Sequence, residues 1–223
     1  MTSSTFEGAR LVLRKELRCS LREPAAWGAM FMFALTTLAC VSLSLSGMTL
    51  EPKLLAALLW VILFFASMAG ADRGFGDEDL ARTLPALQLY GAAQAVLFGK
   101  MLYTGVLLLG LAAFTVPLYL IFMDVTLTSP GIFLLTLLAG LWGVAVAGTL
   151  LGALATGARV RSGLCTVLML PIILPVFLPA IALTAAAFGG GAVAVSYLGG
   201  MVLYDFVLSV GASILFDYLW YED

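Results

Sequence analysis

The sequence predicts an all-α integral membrane protein: six transmembrane helices preceded by an N-terminal amphipathic helix at the bilayer surface. Three observations predict it. Only 11% of the 223 residues are charged, against roughly 25% in a soluble domain, so the chain lacks the polar surface to face water on all sides. Its apolar runs approach or exceed the ~20 residues that a helix needs to cross a bilayer, and the short alternating strands of a barrel are missing. Its few basic residues are confined to alternate connections.

Residues 6–22 come first. Phe6, Ala9, Leu13, Leu17 and Leu21 recur at helical spacing, and Arg10, Arg14, Arg18 and Arg22 form a flanking stripe, each four residues apart. That pattern suits a helix lying in the membrane surface, with apolar side chains down and guanidiniums among lipid phosphates. Pro24 breaks it. Thr37-Leu38-Ala39-Cys40 faintly resembles a lipoprotein cleavage site, but the apolar stretch runs well past Cys40 and no cleavage is expected.

Six apolar segments follow, near 25–48, 54–71, 101–123, 130–156, 163–188 and 193–219. With the N-terminus in the cytoplasm, ten of the eleven Lys and Arg residues fall inside and only Lys53 outside. The positive-inside rule therefore places both termini and the long 72–99 connection in the cytoplasm. The chain reads as a single transmembrane domain over 1–223.

Several features inside the spans carry information. The fourth span holds Gly148 and Gly152 beside Gly143 and Ala147, a small-residue pattern that lets helix backbones approach. The fifth holds Pro171, Pro175 and Pro179, four apart on one face. Each removes a backbone donor, so this span is expected to bend, break or form a re-entrant pair of half-helices, as a hinge or as a static kink. Asp205 lies well inside the sixth span. An ionised group there costs roughly 2.5–3.5 kcal/mol on insertion scales, so it must face protein, water or a partner, or be neutral; function and structural pairing both fit. Adjacent Tyr204 points about 100° away on a helix and is not the obvious partner. Trp27, Tyr218, Trp220 and Tyr221 read as interfacial anchors.

Other classes are excluded. The chain has no histidine, which removes the commonest haem and zinc ligand and the usual general base. Cys19, Cys40 and Cys165 are isolated and read as small buried hydrophobes. Phe98-Gly99-Lys100-Met101 contains the Gly-Lys of a phosphate-binding loop but neither the upstream Gly nor the following Ser/Thr. No basic run interleaved with aromatics suggests nucleic acid. One intramembrane acid and no evident repeat argue against a secondary transporter. If the protein transports, its energy comes from elsewhere.

That points to residues 72–99. Leu80, Leu84 and Leu87 recur at i, i+4 and i+7, behind the acidic cluster Asp77-Glu78-Asp79 and beside Arg82 and Thr83. A short amphipathic helix here would place its leucines in a groove of a soluble partner, and the acids suit its N-terminus. A solvated loop with a membrane-surface helix shares the pattern.

The arrangement resembles an ABC-2-type exporter permease. Leu59-Trp60-Val61 leads to Asp72-Arg73-Gly74-Phe75; Gly99-Lys100 opens the third span; Leu170-Pro171 and Ile173-Leu174-Pro175 mark the fifth; Tyr204-Asp205-Phe206 and Leu215-Phe216-Asp217-Tyr218 mark the last. In these stretches the chain resembles the CcmB family, the haem exporter permease of cytochrome c maturation. The chain departs from the family at Arg82-Thr83-Leu84-Pro85, where Pro85 is expected to shift or shorten the coupling helix. The resemblance implies a non-catalytic permease subunit of a bacterial inner-membrane ABC transporter. A CcmA-like ATPase would dock on 72–99, and also on the 157–162 connection through Arg159 and Arg161. Two permease copies, CcmC- and CcmD-like membrane proteins and transiently a CcmE-like haem chaperone would complete the complex. No cofactor is assigned to this chain; haem belongs to the complex, and ATP and Mg to the partner ATPase. Rival readings are an ABC-2-type permease for another lipid, drug or glycan, or a non-transporting membrane scaffold.

Overall fold

The computed structural model describes residues 2–22, 25–45, 48–71, 92–157, 162–191 and 195–221. They form seven helices: α1 (Thr2–Arg22), α2 (Ala25–Ser44), α3 (Pro52–Ala71), α4 (Ala93–Phe122), α5 (Pro130–Gly157), α6 (Ser162–Ala187) and α7 (Val195–Tyr221). No strand occurs among the described residues. Five helices (α2, α4, α5, α6 and α7) are long and apolar enough to cross a membrane, and Pro52–Met68 of α3 is a shorter apolar stretch. Only α1 combines polar composition with a distinct apolar side, as the arginine spacing predicts.

The helix ends fall close to the expected segments, with one exception. α4 begins at Ala93, so residues 93–99, expected to finish the cytoplasmic connection, are already helical. Tertiary packing accounts for this: Ala93, Val96, Leu97 and Met101 are buried among α5, α7 and α1. Buried contacts extend a helix into a stretch whose hydropathy, broken by Gln94 and Lys100, does not mark a span.

α6 is one continuous helix through Pro171, Pro175 and Pro179, which corrects the broken or re-entrant alternative. Burial is strongly one-sided. Met169, Ile173, Val176, Ala180 and Leu183 are buried, whereas Pro171, Leu174, Pro175 and Leu178 are exposed. The proline rings thus sit toward the outer side, while the opposite side is clamped by α3, α5 and α7. Two half-helices would have left backbone groups unpaired in hydrocarbon.

α5 is the most buried of the candidate spans, and α2 and α7 are the least. Side-chain hydrogen bonds tie neighbouring helices together, three of them from large aromatic residues. The Trp60 indole donates to Thr184 Oγ1 at 3.0 Å, Tyr119 to the Leu55 carbonyl at 2.7 Å, and Tyr204 to the Ile172 carbonyl at 2.7 Å. Such bonds average about 0.6 kcal/mol in a membrane protein, so packing must supply most of the association. Trp60, 1% exposed, lies against Gly140 so closely that a methyl group there would overlap its ring. The close approaches on α5 are thus at Gly140 and Gly143; a methyl on Gly148 would make only an ordinary 3.6 Å contact with Met169.

Two further expectations change. Cys19 and Cys40 are exposed, not buried. Trp220 is a core residue rather than an interfacial anchor, 6% exposed and packed on Phe216. Trp27 is half-buried, stacked on Phe31 and set against Gly110 of α4.

Gly140→Ala is expected to destabilise the protein by about 1–3 kcal/mol through overpacking against Trp60, and Gly148→Ala to change little. Thermal unfolding of the two variants in detergent checks this; equal midpoints would contradict the packing described.

Candidate functional site

Two places combine polar chemistry with burial: the foot of α4, and the middle of α7.

At the foot of α4, α1 and α4 approach through glycines. A Cβ on Gly99 would fall 2.6 Å from Val12 Cβ and 2.9 Å from the Ala9 carbonyl oxygen, and one on Gly8 would fall 3.0 Å from Ala95 Cβ. This closeness brings Lys100 Nζ within 3.1 Å of Glu16 Oε1. The lysine side chain is 1% exposed and that of Glu16 12%. The same carboxylate oxygen accepts from Lys15, at 3.3 Å on the exposed side. One turn on, Ser20 Oγ accepts a hydrogen bond from the Trp27 indole, tying the end of α1 to the start of α2. The Gly99-Lys100 pair is therefore a helix-docking device: glycine admits the backbone and lysine supplies the charge.

Sequence reasoning assigned no role to Glu16. Its signal is present: Gly8, Val12, Glu16 and Ser20 form a row at four-residue spacing, of which Gly8, Val12 and Glu16 contact α4 and Ser20 meets Trp27 of α2. The apolar side of α1 is divided as a result. Ala9 is buried against the protein, Leu13 and Leu17 are half-buried, and Phe6 and Leu21 remain exposed. Arg10, Arg14 and Arg18 point outward.

In the middle of α7, Asp205 is 5% exposed. Its Oδ1 has no hydrogen-bond partner among the described residues. It packs over Gly143 of α5, where a Cβ would fall 2.5 Å from Oδ1 and 3.1 Å from Val176 Cγ2 of α6. Gly143 thus makes room for the carboxylate. Ser209 donates to the Asp205 backbone carbonyl at 2.7 Å, leaving the carboxylate itself unengaged by that hydroxyl. Tyr204 turns away to α6, in line with its position on the helix. Asp205 lines a cavity of about 580 Å³ between α4, α5 and α7, with Phe98, Trp142, Phe206, Ser209 and Ser213 among its walls.

The remaining predicted residues are not brought together with these. Pro171, Pro175 and Pro179 lie on α6 and do not line the cavity. Asp77, Glu78, Asp79, Leu80, Arg82, Thr83, Leu84 and Leu87 lie outside the described residues, as do Arg159 and Arg161. The question of a docking helix around Pro85 falls outside them too. Among the described residues no group of three or more Cys, Asp or Glu could hold a metal ion.

The model of a family described as CcmB protein matches residues 8–215, from α1 to the last turns of α7. A comparison with curated proteins found no match.

Removing either partner of the Glu16–Lys100 pair takes away a charge-assisted contact between α1 and α4, worth about 1.5–3 kcal/mol. Lys100→Met and Glu16→Leu are each expected to lower the thermal midpoint, and the double variant to lose less than the sum of the two. A double-mutant cycle in detergent reads the coupling; additive losses would show that the pair is not energetically linked.

Proposed function

The chain belongs to the CcmB family and is a multi-pass membrane permease component of the cytochrome c maturation haem exporter; from that premise we propose that it is a non-catalytic subunit transmitting motion from a separate ATPase. The motion serves the ATP-driven release of a haem-loaded chaperone. The subunit sits in the bacterial inner membrane with both termini in the cytoplasm, where ten of its eleven basic residues then lie. A CcmA-like ATPase docks on the connection before α4 through Asp77, Glu78, Asp79, Leu80, Arg82, Thr83, Leu84 and Leu87, and on Arg159 and Arg161 between α5 and α6. Two permease copies, CcmC- and CcmD-like proteins and a transient CcmE-like chaperone form the assembly. ATP and Mg belong to the ATPase, and haem to the assembly rather than to this chain.

One observation carries the mechanical reading. The docking connection leads directly into α4, whose first turns are locked to α1 by the buried Glu16–Lys100 pair and the Gly99 contact. A push on the connection would therefore move α1 and the foot of α4 together, because sliding one past the other would break that ion pair and the close packing of Val12 on Gly99. A chain without histidine also suits a mechanical role better than a haem-ligating one.

Deleting residues 77–87 is expected to abolish co-purification of the ATPase while the permease remains inserted in the membrane; retained association would overturn the docking assignment. A strain lacking this chain is expected to make no holo-cytochrome c, and normal holo-cytochrome c levels would overturn the pathway assignment.

A further inference from the structure

The cavity between α4, α5 and α7 has a composition that the haem-exporter role does not explain. Its walls are apolar and aromatic, with Phe98 from α4, Trp142 from α5 and Phe206 from α7. Its polar features are Asp205 and the hydroxyls of Ser209 and Ser213. Asp205 is more than nine-tenths buried, and its Oδ1 meets no hydrogen-bond partner among the described residues. The volume, about 580 Å³, is that of a small-molecule site.

A carboxylate in hydrocarbon is retained only where something compensates it. Here Gly143 closes over Oδ1, and Asp205 also lines the cavity, which is where a compensating cation can reach it. Aromatic faces around a negative group attract cations through the ring quadrupole as well as by charge, and apolar walls favour a ligand with a hydrocarbon body. A porphyrin with its propionates inward would set negative charge against Asp205, so haem is a poor occupant. We propose that this cavity is a binding site for a lipophilic ammonium: a cationic amine on an apolar body, held by Asp205 with Trp142, Phe98 and Phe206 around it. Val202, Val210 and Ile214 continue the exposed face of α7 beside the cavity, giving the hydrocarbon part of the ligand a surface to lie on. The amine could be a free alkylamine or the headgroup of an ethanolamine lipid, since both present the same chemistry.

The test uses the full chain in uncharged maltoside micelles, with decylammonium as the probe and decanol and decanoate as neutral and anionic counterparts, each read by titration calorimetry. Decylammonium is expected to bind at least about tenfold tighter than either counterpart, a difference of about 1.4 kcal/mol. Asp205→Asn, which keeps the side-chain shape over Gly143, should remove that preference without lowering the thermal midpoint. Phe206→Leu, at an exposed position, should weaken binding several-fold. Competition by added phosphatidylethanolamine would assign the amine to a lipid headgroup; its absence would assign it to a free amine. Equal binding of the three probes, or unchanged binding by Asp205→Asn, would overturn the proposal. So would a cross-link from a cysteine at position 206 to a partner membrane helix in native membranes, which would give the groove to protein.

Discussion

The Lys100 ammonium, almost wholly removed from solvent at the foot of α4, constrains the structure around it. A buried cation must be met by an anion, and Glu16 meets it from a helix 84 positions earlier. That pairing, with the contacts of Val12 on Gly99 and Gly8 on Ala95, fixes the rotation of α1. With Glu16 turned toward α4, Gly8, Val12 and Ser20 share its side, and the arginines at positions 10, 14 and 18 are left on the exterior. Ser20 then lies where the Trp27 indole can reach it, which sets the entry into α2. Gly99 is the geometric condition for the pairing, because any side chain there would collide with Val12 and the Ala9 carbonyl. The surface helix is thus a fixed part of the permease body.

Hydropathy located the spans well, because a bilayer demands long uninterrupted apolar helices and leaves little else to choose. It failed where a helix owes its existence to packing. Residues 93–99 read as the end of a connection because Gln94 and Lys100 interrupt the apolar pattern, and only the docking of α1 and the surrounding core makes them helical. The three prolines of α6 read as a potential break because sequence cannot tell which side of the helix is clamped. Cys19 and Cys40 were expected inside because free cysteines are usually buried in proteins surrounded by water; α2 exposes most of its length, so an outward cysteine at position 40 costs little in an apolar environment.

The polar residues divide similarly. Asp205 announced itself in the sequence as an acid inside a span, yet its accommodation by Gly143 of α5 was not legible, since nothing in a sequence pairs an acid with a distant glycine. The residues proposed for docking within 77–87, together with Arg159 and Arg161, were legible as charge and leucine patterns and lie outside the described residues. Glu16 was hidden for a different reason. One of two acids among five basic residues on α1 looks like charge balance, and its burial depends on α4 coming to it.

The apolar core is divided in a way that bears on motion. One cluster holds α2, α3, α6, the later part of α4 and the earlier parts of α5 and α7, anchored by Trp60 and Tyr119. A smaller one gathers the start of α4 and the ends of α5 and α7 around Leu97, Met101, Phe216 and Trp220, with Val12 of α1 packed on it. The ion pair therefore fastens α1 to the smaller cluster alone. On the proposed function, force delivered before Ala93 would reach that unit first and pass on through α4, α5 and α7, the helices that run through both clusters. Asp205 and Trp142 line an open groove beside the junction of the two, and Leu154 and Leu208 pack against both clusters. A groove on one side of the junction leaves fewer packed contacts there than a continuously packed core would have. A ligand in that groove would add contacts beside the junction, so its occupant and any transmission of motion are linked through the same few side chains.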